Sequence, residues 1–175
     1  MKRGLLFFVL LCFILLGCNS GNENKDKQQA NHDYYQFQRI DLVPYEIDAE
    51  IMIPDATAGI GASFKPQIIH QTADYKWEIQ IGRNFELLIE DFGDNGFRYP
   101  EVRKKILTNK VFKVKIIKEE GELMLFKRQL DNSYHIFAVK KIGGIYYQLS
   151  SREEGDSKKV AEFMYRSVKS FKKIK

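Results

Sequence analysis

Cysteine is nearly absent from this chain: two of its 175 residues, Cys12 and Cys18, and none after position 18. A disulfide framework, a thiolate zinc site and a cysteine nucleophile are therefore excluded from everything downstream. Histidine is almost as scarce. His32, His70 and His135 stand far apart, without the short spacings that bring two imidazoles onto one metal, so no metal site is named. Gly59-Ile60-Gly61 lacks the third glycine of a dinucleotide fingerprint, no GK[ST] or G-x-S-x-G occurs, and no acid and base pair stands out, so no catalytic residue is named either. Asp91-Phe92-Gly93 spells a kinase tripeptide in a chain too short for a kinase's other parts. Asp91, Asp94 and Asn95 miss calcium-loop spacing, because the twelfth position from Asp91 is Val102. A membrane-spanning run is missing as well: the longest apolar stretch, Gly4 to Leu16, has 13 residues, against the roughly 20 a helix needs to cross a bilayer.

What is present at the start is a pattern. Lys2 and Arg3 precede that apolar stretch, and it closes on Leu15-Leu16-Gly17-Cys18. A basic region, a short apolar region, a small residue and then cysteine resemble the lipobox signal peptide of bacterial lipoproteins. The resemblance implies cleavage between Gly17 and Cys18 and a diacylglyceryl group on the Cys18 sulfur, a covalent lipid; no cofactor is expected. Each buried methylene contributes about 0.8 kcal/mol, so two or three acyl chains hold such a protein on a membrane essentially permanently. Asn19 stands where an inner-membrane retention signal would have Asp, which favours the outer membrane.

Removal of residues 1–17 leaves 158 residues, and the loss of Lys2 and Arg3 leaves a net charge of +3. That length suits one domain. Charges of both signs are interspersed, and an exported protein is away from nucleic acid, which is not expected as a partner. Residues 18–33 read as lipidated cysteine and tether: NSGNENKDKQQANHD holds one alanine and nothing more apolar, too little to offset the entropy of ordering. As a flexible coil it reaches roughly 20 Å.

The globular part is expected over residues 34–175. Tyr45, Ile47, Ala49, Ile51 and Ile53 alternate with polar residues as a half-buried strand. A short strand follows from Gln67 to Thr72. Trp77, Ile79 and Ile81, then Phe85, Leu87 and Ile89 across Gly82-Arg83-Asn84, predict a hairpin. After Gly93-Asp94-Asn95-Gly96 comes a short helix with Pro100 in its first turn and Val102, Ile106 and Leu107 inward. Strands are expected at Val111–Ile117, Leu123–Leu130, Tyr134–Ile142 and Ile145–Ser150, and a long helix at Asp156–Phe171, whose cations lie largely off its apolar stripe. Ser151 with Glu154 would form a capping box if that helix starts early.

The fold class is therefore α+β: a single domain with an antiparallel sheet of about six or seven strands, covered by a short helix and a long C-terminal helix. The order of elements over residues 45–173, with the ending YYQLSSREEGDSKKVAEFMYRSVKSFK, resembles the Mog1/PsbP-like fold and single-domain bacterial lipoproteins. That resemblance carries no functional motif. His135 shares a strand face with Phe137 and Val139 and reads as a core or sheet-edge histidine. Tyr34, Tyr35, Phe37, Tyr146 and Tyr147 are aromatics that could line a ligand cup or an interface. The expected role is a non-enzymatic, membrane-anchored envelope lipoprotein that meets an envelope protein partner. A carrier or sensor of a small hydrophobic ligand in an aromatic-lined pocket is the alternative, and an enzyme of envelope polymers a third.

Overall fold

The first strand, β1 (Phe37–Asp41), pairs antiparallel with β2 (Ala49–Pro54), setting Phe37 opposite Pro54 and Asp41 opposite Glu50. This is a computed structural model, and it describes residues 34–61, 65–96 and 98–174. One compact unit begins at Gln36. The expected signal peptide, Gly17, Cys18, the expected tether and His32 lie outside the described residues.

Ten strands occur among the described residues: β3 (Gln67–Gln71), β4 (Lys76–Ile81), β5 (Phe85–Asp91), β6 (Val114–Glu120), β7 (Leu123–Arg128), β8 (Tyr134–Ile142), β9 (Ile145–Ser151) and β10 (Lys172–Lys173) join the first two. Seven of them form one antiparallel sheet in the order β3-β4-β5-β9-β8-β7-β6, and β1-β2-β10 form a second. Helix α1 (Arg98–Leu107) lies after β5 and helix α2 (Lys158–Ser170) after β9. The chain is α+β, with more strands than expected because β1 and β10 flank β2 in a small second sheet.

Period-2 alternation explains the large sheet. Trp77, Ile79, Ile81, Phe85, Leu87, Ile89 and Leu149 are all at most 3% exposed, and their register puts them on one face. That face meets α2, which also packs against β2. Leu42, Ile47, Ile51, Ile53, Met164 and Val168 complete this core at 0% exposure. The opposite face holds Phe126 across from His135, Met124 across from Phe137 and Val139 across from Gln148. Helix α1 covers part of it with Tyr99, Val102 and Ile106.

Several boundaries differ from expectation for local reasons. Strand β2 starts at Ala49 rather than Tyr45, because Val43-Pro44-Tyr45 forms a 3-10 turn and Glu46 turns left-handed at φ 69°. Proline has no N–H to give a ladder. Strand β6 starts at Val114 rather than Val111, since the Asn109 carboxamide oxygen accepts from the N–H groups of Val111 and Phe112 at 3.0 and 3.1 Å. Lys113 then adopts φ 46°, and Val111 is left exposed. Leu107 points outward at the end of α1, not inward. Ser157, not Ser151, caps α2 by accepting from Val160 N; Ser151 ends β9. Phe37 and Tyr147 are buried rather than open to ligands, and Tyr147 sits edge-on to Trp77 and Phe171.

Candidate functional site

Helix α1 stops short of the sheet's end, and the space beyond its last turn is a cleft. Its volume is about 270 Å³. Val114, Phe126, His135, Phe137 and Ser150 form the sheet wall, while Ile106, Asn109 and Phe112 face them from the helix end and the following loop. Position follows from pairing: Phe126 is opposite His135, and Phe137 is opposite Ser150. The loop wall is held by the Asn109 side chain and by Gln129 N donating to Phe112 O at 2.9 Å. Tyr99 fixes α1 above the sheet, stacking on Phe137 and donating its hydroxyl to Glu119 at 2.8 Å, where Arg103 also donates.

At one end of the cleft lies a chain of hydrogen bonds. The Ser133 hydroxyl donates to Asp131 Oδ1 at 2.6 Å, because a carboxylate only accepts. Its single proton is thereby used, so the 2.7 Å contact between Ser133 Oγ and His135 Nε2 requires the ring nitrogen to donate. His135 Nδ1 is then the bare acceptor, facing Ser151 Oγ at 3.5 Å. The Arg128 guanidinium donates to Asp131 and at 3.2 Å to Ser133, and lies 4.3 Å above the Phe112 ring. The Ser133 hydroxyl and then Arg128 hold the Asp131 carboxyl well below its ordinary range. Burial, and secondly the Arg128 charge, bring His135 down to about 4.

A loop clasps this histidine. Tyr134 and Asp156 exchange backbone bonds at 2.9 Å in both directions, carrying Gly155 across the imidazole. Arg152 donates to Asp156 Oδ1 at 2.8 Å, while Oδ2 has no hydrogen-bond partner among the described residues. Burial drives the Asp156 carboxyl up to about 6.

The arrangement is poor for nucleophilic catalysis. In an activating relay the histidine stands between hydroxyl and acid and takes the hydroxyl's proton. Here the hydroxyl stands between acid and histidine, and the facing nitrogen already carries a proton. A ring whose conjugate acid has a pKa near 4 is also a weak base at neutral pH.

The other sequence candidates are elsewhere. His70 stacks on Trp77 with ring centroids 4.9 Å apart and lies 3.8 Å from Glu46. Asp91 accepts from Gly93 N at 2.6 Å as an ordinary strand-end turn. Among the described residues no three His, Cys, Asp or Glu side chains group as metal ligands. Gly59 and Ile60 supply carbonyls, which accept from Lys159 and Asn84, rather than a cradle of N–H donors. The basic C-terminal segment is largely neutralised: Lys158, Lys169, Lys172 and Lys173 pair with Glu162, Glu120, Glu50 and Asp48. Among the described residues no helix is long and apolar enough to cross a membrane.

The sequence placed His135 among core residues and missed the cleft beside it, whose walls come from four separated segments. Comparison with known family models, curated proteins and solved structures finds no match.

Proposed function

We propose that this chain is a lipid-anchored envelope protein, held through Cys18, that binds rather than transforms, and that the cleft beyond α1 holds a small hydrophobic ligand. The cleft itself carries the reading. It is lined by Phe112, Phe126 and Phe137, it opens beside a neutral histidine, and its two guanidiniums, Arg128 and Arg152, are each already paired with an acid. Pockets for small ligands are mostly apolar, with a few placed polar groups that orient the occupant. An apolar body with an uncharged polar head fits this lining, since a carboxylate would find both arginines engaged.

Calorimetric titration of the full chain in detergent with 1-octanol and with octanoate tests it. Saturable binding of the alcohol, weaker binding of the carboxylate and loss of both in Ser150→Trp, which fills the cleft, is the expected result. No heat from either probe, or equal heat from the variant, overturns it.

A second reading is a module that meets an envelope protein partner. Leu107, Val111 and Leu130 favour it, because they stand 38%, 67% and 67% exposed on or beside the segments that frame the cleft. Exposed apolar side chains that cluster mark interaction sites more often than those scattered singly.

A further inference from the structure

Away from the cleft, the two long edges of the large sheet are built differently. The outer strand β6 carries Lys115, Lys118, Glu119 and Glu120 and is broken by a bulge between Ile116 and Lys118. Charges and bulges are how proteins keep an edge from pairing with another chain. The other outer strand, β3, reads Gln67-Ile68-Ile69-His70-Gln71. It has no Lys, Arg, Asp, Glu, Pro or bulge. In the small sheet, β1 contains Arg39 and Asp41, and β10 is two lysines. Strand β3 is thus the one unguarded edge among the described residues.

Its open hydrogen-bonding groups can be identified. Asp91 N donates to Tyr75 O at 3.0 Å, so Tyr75 and Asp91 occupy a hydrogen-bonded position of the β4-β5 ladder and Lys76 the next, outward-facing one. Alternation along an antiparallel ladder then turns the backbone of Lys76, Glu78 and Gln80 toward β3. Their partners are Gln71, Ile69 and Gln67. The N–H and C=O groups of Ile68 and His70 therefore point away from the sheet, and no described strand meets them.

The strand is also nearly its own complement. Read against itself antiparallel about Ile69, it sets Gln67 opposite Gln71, Ile68 opposite His70 and Ile69 opposite Ile69. The outward groups of Ile68 and His70 then fall into register, giving four backbone hydrogen bonds across a two-fold axis. Pro66, the next outward position, lacks an N–H and ends the ladder there. Ile69, 40% exposed in one copy, becomes a close apolar pair at the axis, a position where directly opposed side chains touch. We infer that two copies of this chain join edge to edge through β3 into one continuous sheet. A closed two-fold pair satisfies both edges and leaves nothing to propagate.

Cysteine crosslinking of the full chain tests the register, with the parent chain, Cys12 and Cys18 unchanged, as background. Opposed residues at a non-hydrogen-bonded position lie about 4.5 Å apart between Cα atoms, within the roughly 4.4–6.8 Å that a disulfide spans. Oxidation of Ile69→Cys is expected to give a dimer of twice the chain mass. Gln67→Cys alone is expected to stay at background, since its two copies lie roughly 14 Å apart, whereas Gln67→Cys mixed with Gln71→Cys crosslinks. Ile69→Lys, which places like charges together at the axis, is expected to remove the dimer in light scattering while the circular dichroism stays unchanged. A dimer yield no higher for Ile69→Cys than for the parent overturns the inference. So does equal crosslinking by Gln67→Cys alone, an adduct with the mass of a different protein, or an unaltered dimer in Ile69→Lys.

Discussion

Gly155 passes so near His135 that a methyl group on its α-carbon would lie 2.4 Å from the ring's Nε2. The backbone there is also left-handed, at φ +75°. Glycine alone meets both conditions. Gly155→Ala is expected to cost about 1–3 kcal/mol from backbone strain and steric displacement together. The double variant Gly155→Ala, His135→Ala isolates the ring's share, because it removes the imidazole contact and keeps both the strain and the 2.9 Å approach to the Ser133 β-carbon. Urea unfolding that gives additive losses for the pair would show that ring and loop are not in conflict.

The buried histidine and the buried aspartate bend stability with pH in opposite directions. His135 takes a proton near 6.5 when unfolded and near 4 when folded, so its contribution is complete above 6.5 and lost as pH falls toward 4. Asp156 has its pKa raised from 3.8 to about 6 by folding, so its contribution is complete below 3.8 and lost as pH rises through 6. Between 4 and 6 the slopes oppose one another. Relative to the parent, His135→Gln is expected to gain urea midpoint on going from pH 6 to pH 4, and Asp156→Asn to lose it. The same sign of change in both variants would refute this pairing.

Trp77, the single tryptophan, is 3% exposed and donates Nε1–H to Tyr45 O at 2.7 Å. Trp77→Phe leaves that carbonyl unpaired, an expected loss of about 1–3 kcal/mol. In the parent, tryptophan emission should be blue-shifted and resistant to acrylamide, and should shift red in one step with the loss of sheet signal. Ready quenching in the folded protein would place the ring on the surface.

Core and rim should separate cleanly. Ile89→Ala, at a 0% exposed site on the face under α2, is expected to cost about 2–5 kcal/mol. Leu130→Ala, 67% exposed, should change stability by no more than about 0.5 kcal/mol. A large loss at Leu130 would mean that this side chain is covered in solution.

How much of this was legible in the sequence depends on range. The hairpin of β4 and β5 and the final helix follow from strict alternation or a helical stripe, and the run from Tyr134 to Ser151 from two apolar stretches divided by Gly143-Gly144, signals contained within each segment. The small sheet does not, because β1 is half-buried with Arg39 and Asp41 in its pattern and β10 is two residues long. Composition alone groups Tyr146 with Tyr147 as aromatics for a ligand cup or an interface, yet neighbours on a strand point to opposite faces, and Tyr147 is in the core. The late start of β6 depends on one Asn109 side chain. The cleft depends on a register between β7, β8 and β9 and on where α1 stops, which no local pattern records.

Strand β2 has one neighbour from each end of the folded unit: β1 begins at Phe37, and β10 is Lys172–Lys173. Met52 N also donates to the Ser170 hydroxyl at 2.8 Å. The small sheet cannot be finished until nearly the whole unit has been synthesised, so a nascent chain stopped anywhere earlier keeps β2 half-paired and the hydrophobic side chains beneath it open. Loop closure on that scale makes folding slow and late. Completion of this sheet is therefore the last step that the order of synthesis allows.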